Sequence, residues 1–80
     1  MHNRLRAVDA RKVIQILQSF GFSEDRSKGS HHQWVKKSPS KVFRVTVISK
    51  AKFFKLETLK SMIRQSGHSE EEWVKALDES

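Results

Sequence analysis

The segment Val42-Phe43-Arg44-Val45-Thr46-Val47-Ile48 contains the strongest strand signal in the chain. β-Branched and aromatic residues occupy most of its positions, which is typical of a strand in a sheet. Successive side chains of a strand point to opposite faces. The alternation therefore predicts that the odd-numbered residues pack against helices. The even-numbered residues, among them Arg44 and Thr46, are predicted to form an opposite, partly open face.

Helical periodicity follows and precedes this strand. Apolar residues recur at helical spacing over residues 9–20, where Asp9 is a favoured N-cap and Gly21 a favoured stop. A second helix is predicted from about Leu56 to Ser66, again ending before a glycine. The run Ser69-Glu70-Glu71-Glu72 has the form of a capping box and predicts a short third helix.

Two further strands are predicted between the first helix and residues 42–48. Residues 22–28 are mostly polar and give a weak strand signal, whereas residues 31–37 place Trp34 and Val35 among polar residues. Gly29-Ser30 between them is typical of a turn. The order α-β-β-β-α plus a short C-terminal helix predicts an α+β fold in one domain spanning residues 1–80. Its three-stranded antiparallel sheet would carry the helices on one face.

The length and composition limit the kind of site. A chain of 80 residues buries only about 60% of its unfolded surface, so a surface site is expected rather than a deep cavity. The absence of cysteine excludes disulfides and thiolate metal sites. No apolar run is long enough for a membrane helix, and the N-terminus does not resemble a signal peptide. We therefore expect a cytoplasmic protein that does not bind membranes.

The charge is distributed unevenly along the chain. The net charge is +7, but residues 1–68 hold fifteen basic and four acidic side chains, whereas residues 69–80 hold one lysine and five acidic side chains. A basic body of +11 indicates a polyanionic partner, because contacts with phosphates release condensed counterions.

Several motifs occur together in an order and spacing that resemble one family. They are Phe20-Gly21-Phe22, Lys28-Gly29-Ser30-His31-His32-Gln33-Trp34, Val45-Thr46-Val47, Thr58-Leu59-Lys60-Ser61-Met62-Ile63-Arg64-Gln65-Ser66-Gly67 and Ser69-Glu70-Glu71-Glu72-Trp73. Together they cover most of the chain, which resembles the HicA family. Residues 48–55 depart from the pattern because they lack the proline-containing loop usual in that family. Glu57 likewise stands where a glycine commonly precedes Thr58.

The resemblance implies a fold like that of double-stranded-RNA-binding domains, in a toxin that cleaves mRNA without the ribosome. It also implies a HicB antitoxin as the partner that covers the active site. The catalytic histidine of the family lies two residues after the motif glycine and three before an aromatic residue, which corresponds to His31. RNA supplies its own nucleophile, the 2′-hydroxyl, so a ribonuclease needs proton transfer and charge stabilisation. A histidine that titrates near neutral pH suits the first task.

Basic residues in the predicted strands and loops beside His31 are candidate RNA contacts. The predicted RNA-binding residues are Lys28, Ser30, Lys36, Arg44, Lys50 and Lys52, with Lys37 and Lys55 as further candidate phosphate contacts. Lys28 and Arg44 are expected to lie nearest the scissile phosphate. At least one ring of Phe53-Phe54 is expected to be exposed and to contact the antitoxin.

The second histidine of the motif is expected to have a structural role. His32 should face the opposite side of the sheet from His31, together with Trp34, which we expect in the core. Adjacent strand residues cannot both point at one ion, and no ligand triad appears in the sequence. We therefore expect neither a metal nor another cofactor.

Two other function classes fit part of the sequence. A non-catalytic double-stranded-RNA-binding module would have the same order of elements and would read RNA shape through phosphates and 2′-hydroxyls. Gly29-Ser30-His31 favours the enzyme, because a binding module does not need it. A small protein-interaction domain would leave the basic body unexplained.

Overall fold

A computed structural model describes residues 8–50 and 53–79 of the chain. Its elements are, in chain order, α1 (Ala10–Ser19), β1 (Ser23–Lys28), β2 (His31–Lys37), β3 (Val42–Ile48), α2 (Leu56–Ser66) and α3 (Glu70–Glu79). The predicted α+β class and element order are confirmed. The last helix was predicted to be short, but it has ten residues, as many as α1.

Both ends of α1 are fixed by hydrogen bonds that the sequence predicts. Asp9 is the N-cap, and its Oδ1 accepts a hydrogen bond of 2.9 Å from the backbone N–H three residues later. At the other end the chain turns at Gly21, where φ is 95°. Gly21 N donates to Gln18 O (3.0 Å), and Phe22 N donates to Leu17 O (2.9 Å). These two bonds form a Schellman motif, which ends the helix at the glycine.

The three strands form an antiparallel sheet in the order β1-β2-β3. Gly29 and Ser30 connect β1 to β2, and the φ of 61° at Gly29 fits a type II′ hairpin turn. The β1–β2 register shifts between Glu24 and Arg26, which leaves Asp25 as the extra residue of a bulge. The bulge changes which side chains of β1 face each side of the sheet.

The sheet has one covered face and one open face. α1 and α2 pack against β3 on the covered face, where Val45 and Val47 are fully buried and Phe43 is half-buried. Trp34 lies on the same face and is 7% exposed, so its predicted place in the core is confirmed. The opposite side, called here the open face, carries Arg26, Lys28, His31, Gln33, Val35, Arg44, Thr46 and Ile48.

The junction between α2 and α3 is built around the buried hydroxyl of Ser66. This hydroxyl donates to the carbonyl three residues earlier (2.6 Å) and accepts from Trp73 Nε1 (3.0 Å) and His68 N (3.2 Å). The predicted capping box then starts α3. Ser69 Oγ accepts from Glu72 N (3.1 Å), and Glu72 Oε1 accepts from Ser69 N (2.9 Å). The last helix therefore packs against α1 and α2 as a third part of the core.

Candidate active site on the open face

His31 is the first residue of β2 and projects from the open face. It directly follows the Gly29-Ser30 turn, and its cross-strand partners are Lys28 on β1 and Ile48 on β3. Its side chain is exposed to solvent. The hairpin turn therefore fixes the backbone of His31 while the imidazole remains accessible to a ligand.

A shallow groove of about 500 Å³ surrounds this imidazole. The residues that line it are Arg26, Ser27, Lys28, His31, Gln33 and Thr46. Arg26 and Lys28 add two positive charges to one wall, and Gln33 and Thr46 add neutral polar groups to the other. The groove thus combines an imidazole, a group able to transfer protons, with cations able to bind phosphates.

Arg44 also lies on the open face, but its cross-strand partner is Val35, four positions along β2 from His31. Its Nη1 donates to Gln33 Oε1 and lies 3.3 Å from Asp25 Oδ2. Asp25 reaches this position because it is the extra residue of the β1 bulge. The guanidinium is therefore paired with a carboxylate and holds a residue that lines the groove.

His32 lies on the covered face and has different surroundings. Its Nδ1 contacts Glu24 Oε2. The bulge turns Glu24 to this side, because it moves the pairing of Glu24 to Trp34. The prediction that the two adjacent histidines face opposite sides of the sheet is confirmed.

The structure brings some of the predicted RNA-binding residues together with His31. Lys28 is directly opposite it, and Ser30 is in the preceding turn. Ser49 N donates to Ser30 O (2.8 Å), which places the exposed Lys50 at the same end of the sheet. Arg44 is on the same face but pairs with Val35 rather than with the residues nearest His31.

The structure does not place every lysine of the predicted set in this group. The expectation that Lys36 lies beside His31 is wrong, because five positions along a strand bring a side chain to the opposite face. Its Cε instead lies 3.8 Å from where a Cβ on Gly21 would be. Lys52 lies outside the described residues, so its predicted RNA contact stays a prediction. Lys37 is on the face of His31 but at the other end of β2.

The groove contains three residues that the sequence analysis did not single out as candidates, Arg26, Ser27 and Gln33. Alternation along β2 from His31 would have identified Gln33, which is two positions further. Arg26 pairs with Gln33 and is two positions before Lys28. The pattern was hard to use because β1 contains no apolar residue that marks its faces.

The segment between β3 and α2 contains one exposed and one buried aromatic ring. Phe53 is 68% exposed, whereas Phe54 is 8% exposed and joins the core. The expectation that at least one ring is exposed is confirmed, and its contact with an antitoxin stays a prediction.

Residues 8–50 and 53–79 contain neither a candidate metal site nor a membrane-spanning helix. These residues include no group of three or more histidines and carboxylates that could hold a metal ion. None of the helices in this part of the chain is long and apolar enough to cross a membrane.

Comparison with known proteins gives one assignment. No curated protein matches the chain significantly. The family model described as the HicA toxin of bacterial toxin–antitoxin systems matches residues 10–68, which include the whole sheet, α1 and α2. Because this match covers most of the sequence, the chain belongs to the HicA family of toxins from bacterial toxin–antitoxin systems.

Proposed function

We propose that this toxin is a metal-independent endoribonuclease that cleaves mRNA in the cytoplasm, with His31 as its acid–base group. The observation that carries the proposal is the exposed imidazole of His31 in a groove with Arg26 and Lys28. Family membership supports the toxin role, and the net charge of +7 supports a polyanionic substrate.

The chemistry requires only groups that the RNA and this groove provide. The 2′-oxygen of the RNA attacks the adjacent phosphorus and loses its proton, and the bond from phosphorus to the 5′-oxygen breaks. The 5′-oxygen takes up a proton, so the products are a 2′,3′-cyclic phosphate and a 5′-hydroxyl. His31 performs one of these proton transfers, a contribution of roughly 10²- to 10⁴-fold. The cationic side chains stabilise the charge on the pentacovalent phosphorus.

The shape of the site favours a flexible RNA strand as substrate. A groove on an open sheet face leaves room for a backbone to bend until its 2′-oxygen lies in line with the leaving oxygen. Lys50 extends the positive surface beyond the hairpin end of the sheet. A ribonuclease that cleaves the mRNA of its own cell also needs an inhibitor in that cell.

We propose that an antitoxin of the HicB type supplies that inhibition by covering the open face. Ile48, the cross-strand neighbour of His31, is 40% exposed and offers an apolar contact beside the site. The cations around His31 would attract carboxylates on the partner. Binding there would exclude RNA by occupying the same groove.

The test uses the purified chain and an RNA oligonucleotide in buffer with EDTA. We expect cleavage products that end in 2′,3′-cyclic phosphate, identified by mass spectrometry. An oligonucleotide with 2′-deoxy sugars at every position should remain intact, because it lacks the nucleophile. A folded His31→Ala variant should lose about 10²-fold or more in rate.

Other outcomes would point elsewhere. Activity that EDTA abolishes would contradict a metal-independent reaction. RNA that binds both the wild-type chain and the His31→Ala variant but stays intact would favour the non-catalytic RNA-binding module.

A further inference from the structure

The groove contains a neutral hydrogen-bonding side chain whose orientation is fixed from outside. Gln33 lies two residues after His31 on β2 and therefore on the same face. It lines the groove, and its side chain is half-buried. Both amide atoms of a glutamine form hydrogen bonds, so the function of Gln33 depends on which atom faces the groove.

The contact with Arg44 determines this orientation. A guanidinium has only donors, so the amide atom that faces it must be the oxygen, as observed for Gln33 Oε1. Arg44 pairs with Val35, which is one same-face position beyond Gln33 and away from His31. The amide oxygen is thus held by Arg44, and the two N–H groups of Nε2 remain for another acceptor.

A second contact fixes the guanidinium itself. Asp25 Oδ2 lies 3.3 Å from Arg44 Nη1 and reaches it from the bulge of β1. Asp25, Arg44 and Gln33 therefore form a connected chain across all three strands. This series of contacts begins at a carboxylate outside the groove and ends at an amide within it.

We propose that Gln33 Nε2 donates a hydrogen bond to a non-bridging phosphate oxygen of RNA beside His31, and that Asp25 and Arg44 are positioning residues for this amide. The proposal rests on the ribonuclease function above. Negative charge on these oxygens increases as the 2′-oxygen bonds to phosphorus. A preoriented donor therefore stabilises the transition state more than the ground state. Arg44, which the sequence analysis predicted as a phosphate contact, then acts through Gln33.

The first test is a binding measurement that does not depend on catalysis. The ¹⁵N-labelled full chain is titrated with an RNA oligonucleotide carrying 2′-fluoro sugars, which cannot be cleaved by this route. The side-chain NH₂ signals of Gln33 are assigned by their loss in Gln33→Glu. We expect them to shift on binding, whereas those of the exposed Gln18 on α1 should stay in place. Unmoved Gln33 signals overturn the proposal.

The second test measures single-turnover cleavage at saturating RNA. Gln33→Met should lower the rate constant about 10- to 100-fold while changing the half-saturating RNA concentration less than about threefold. Gln33→Glu keeps an acceptor for Arg44 but removes the donor, so it should lose at least as much. Arg44→Met should lose about 10-fold in the wild-type background and nothing further in the Gln33→Met background.

The outcomes separate this proposal from the proposed function. A Gln33→Glu chain that cleaves at the wild-type rate overturns the donor role, because Gln33 would then only contact Arg44. A wild-type chain that cleaves RNA with unmoved Gln33 signals overturns only this inference. A wild-type chain that binds no RNA overturns both, whereas shifted Gln33 signals without any cleavage overturn the ribonuclease function alone.

Discussion

The two faces of the sheet give adjacent histidines different surroundings. His31 projects from the open face into a groove with Lys28, whereas His32 lies on the covered face and contacts Glu24. One residue along a strand reverses the direction of the side chain, so neighbouring histidines of one motif lie on opposite faces of the sheet. The surroundings of each histidine in this hairpin therefore depend on strand register more than on composition.

The covered and open faces also differ in what holds them together. Val45 and Val47 are fully buried on the covered face, where packing provides the stability. The open face has polar networks such as Asp25–Arg44–Gln33, which add little stability because the charged pair, Asp25 and Arg44, is exposed to solvent. We therefore expect substitutions on the open face to affect activity and those on the covered face to affect folding.

The largest predicted effect distinguishes the roles of the two histidines. His31→Ala should lower the rate of RNA cleavage by about 10²- to 10⁴-fold, with little change in the free energy of unfolding. His32→Ala should keep the rate within about threefold and lose at most about 1 kcal/mol from its exposed contact with Glu24. Cleavage assays and urea denaturation of both variants measure the two quantities. Equal loss of activity in the two variants would contradict the assignment of roles.

A second prediction compares two glycines with positive φ on different parts of the molecule. An added Cβ on Gly67 would lie 2.9 Å from Cδ1 and Cζ of Phe43 and closer still to Cε1, whereas one on Gly29 would meet nothing within 4 Å. Gly67→Ala should therefore cost about 3 kcal/mol, from the left-handed backbone and the clash together. Gly29→Ala should cost about 1 kcal/mol, from the backbone alone.

Urea denaturation of the two glycine variants measures this difference. Equal losses would mean that the contact between Gly67 and Phe43 does not limit the packing of α2 on the sheet.

A third prediction concerns the buried hydroxyl below the covered face. Ser66→Ala leaves the indole N–H of Trp73 and the backbone N–H of His68 without their acceptor, which should cost about 1–3 kcal/mol. Ser19→Ala is the matched control, because Ser19 Oγ also donates to the carbonyl three residues earlier at 2.6 Å but is exposed. Its loss should be about 0.5 kcal/mol or less. Thermal unfolding of both variants measures this difference. Equal melting temperatures would contradict the role of Ser66.

Local patterns in the sequence predicted much of the fold. β3 and α2 were predicted with the bounds that the structure has, because their apolar residues follow periods of 2 and 3.6. The caps at Asp9 and Gly21 and the capping box at Ser69 followed from the backbone groups that such residues satisfy. Element order then set the α+β class.

The site was only partly predictable because its geometry depends on contacts between strands. The bulge at Asp25 has no signature in the polar run of β1, yet it decides which side of the sheet Glu24 faces. The contact between Gln33 and Arg44 joins side chains eleven residues apart in sequence, which no local pattern encodes. Lys36, by contrast, was misplaced although the alternation from His31 already assigns it to the other face.

The smallest predicted effect concerns the pH dependence of stability at the start of α3. The backbone N–H of Ser69 holds the pKa of Glu72 below its ordinary value, and the side chain of His68, whose Nδ1 is 3.0 Å from Glu72 Oε2, lowers it further. The ring of Phe20 stacks on His68 with 3.8 Å between centroids, which keeps the imidazole in place.

A pKa that is lower in the folded chain means that the folded state favours the ionised carboxylate. Glu72 therefore contributes its full stabilisation above the ordinary pKa of a glutamate, and this contribution is lost as the pH falls through the lowered pKa. Glu72→Gln should flatten that part of the curve of melting temperature against pH more than Glu71→Gln, which removes a carboxylate from the same helical turn. Equal flattening by the two variants would mean that the helix terminus favours any carboxylate there and that the contacts with Ser69 and His68 add nothing specific.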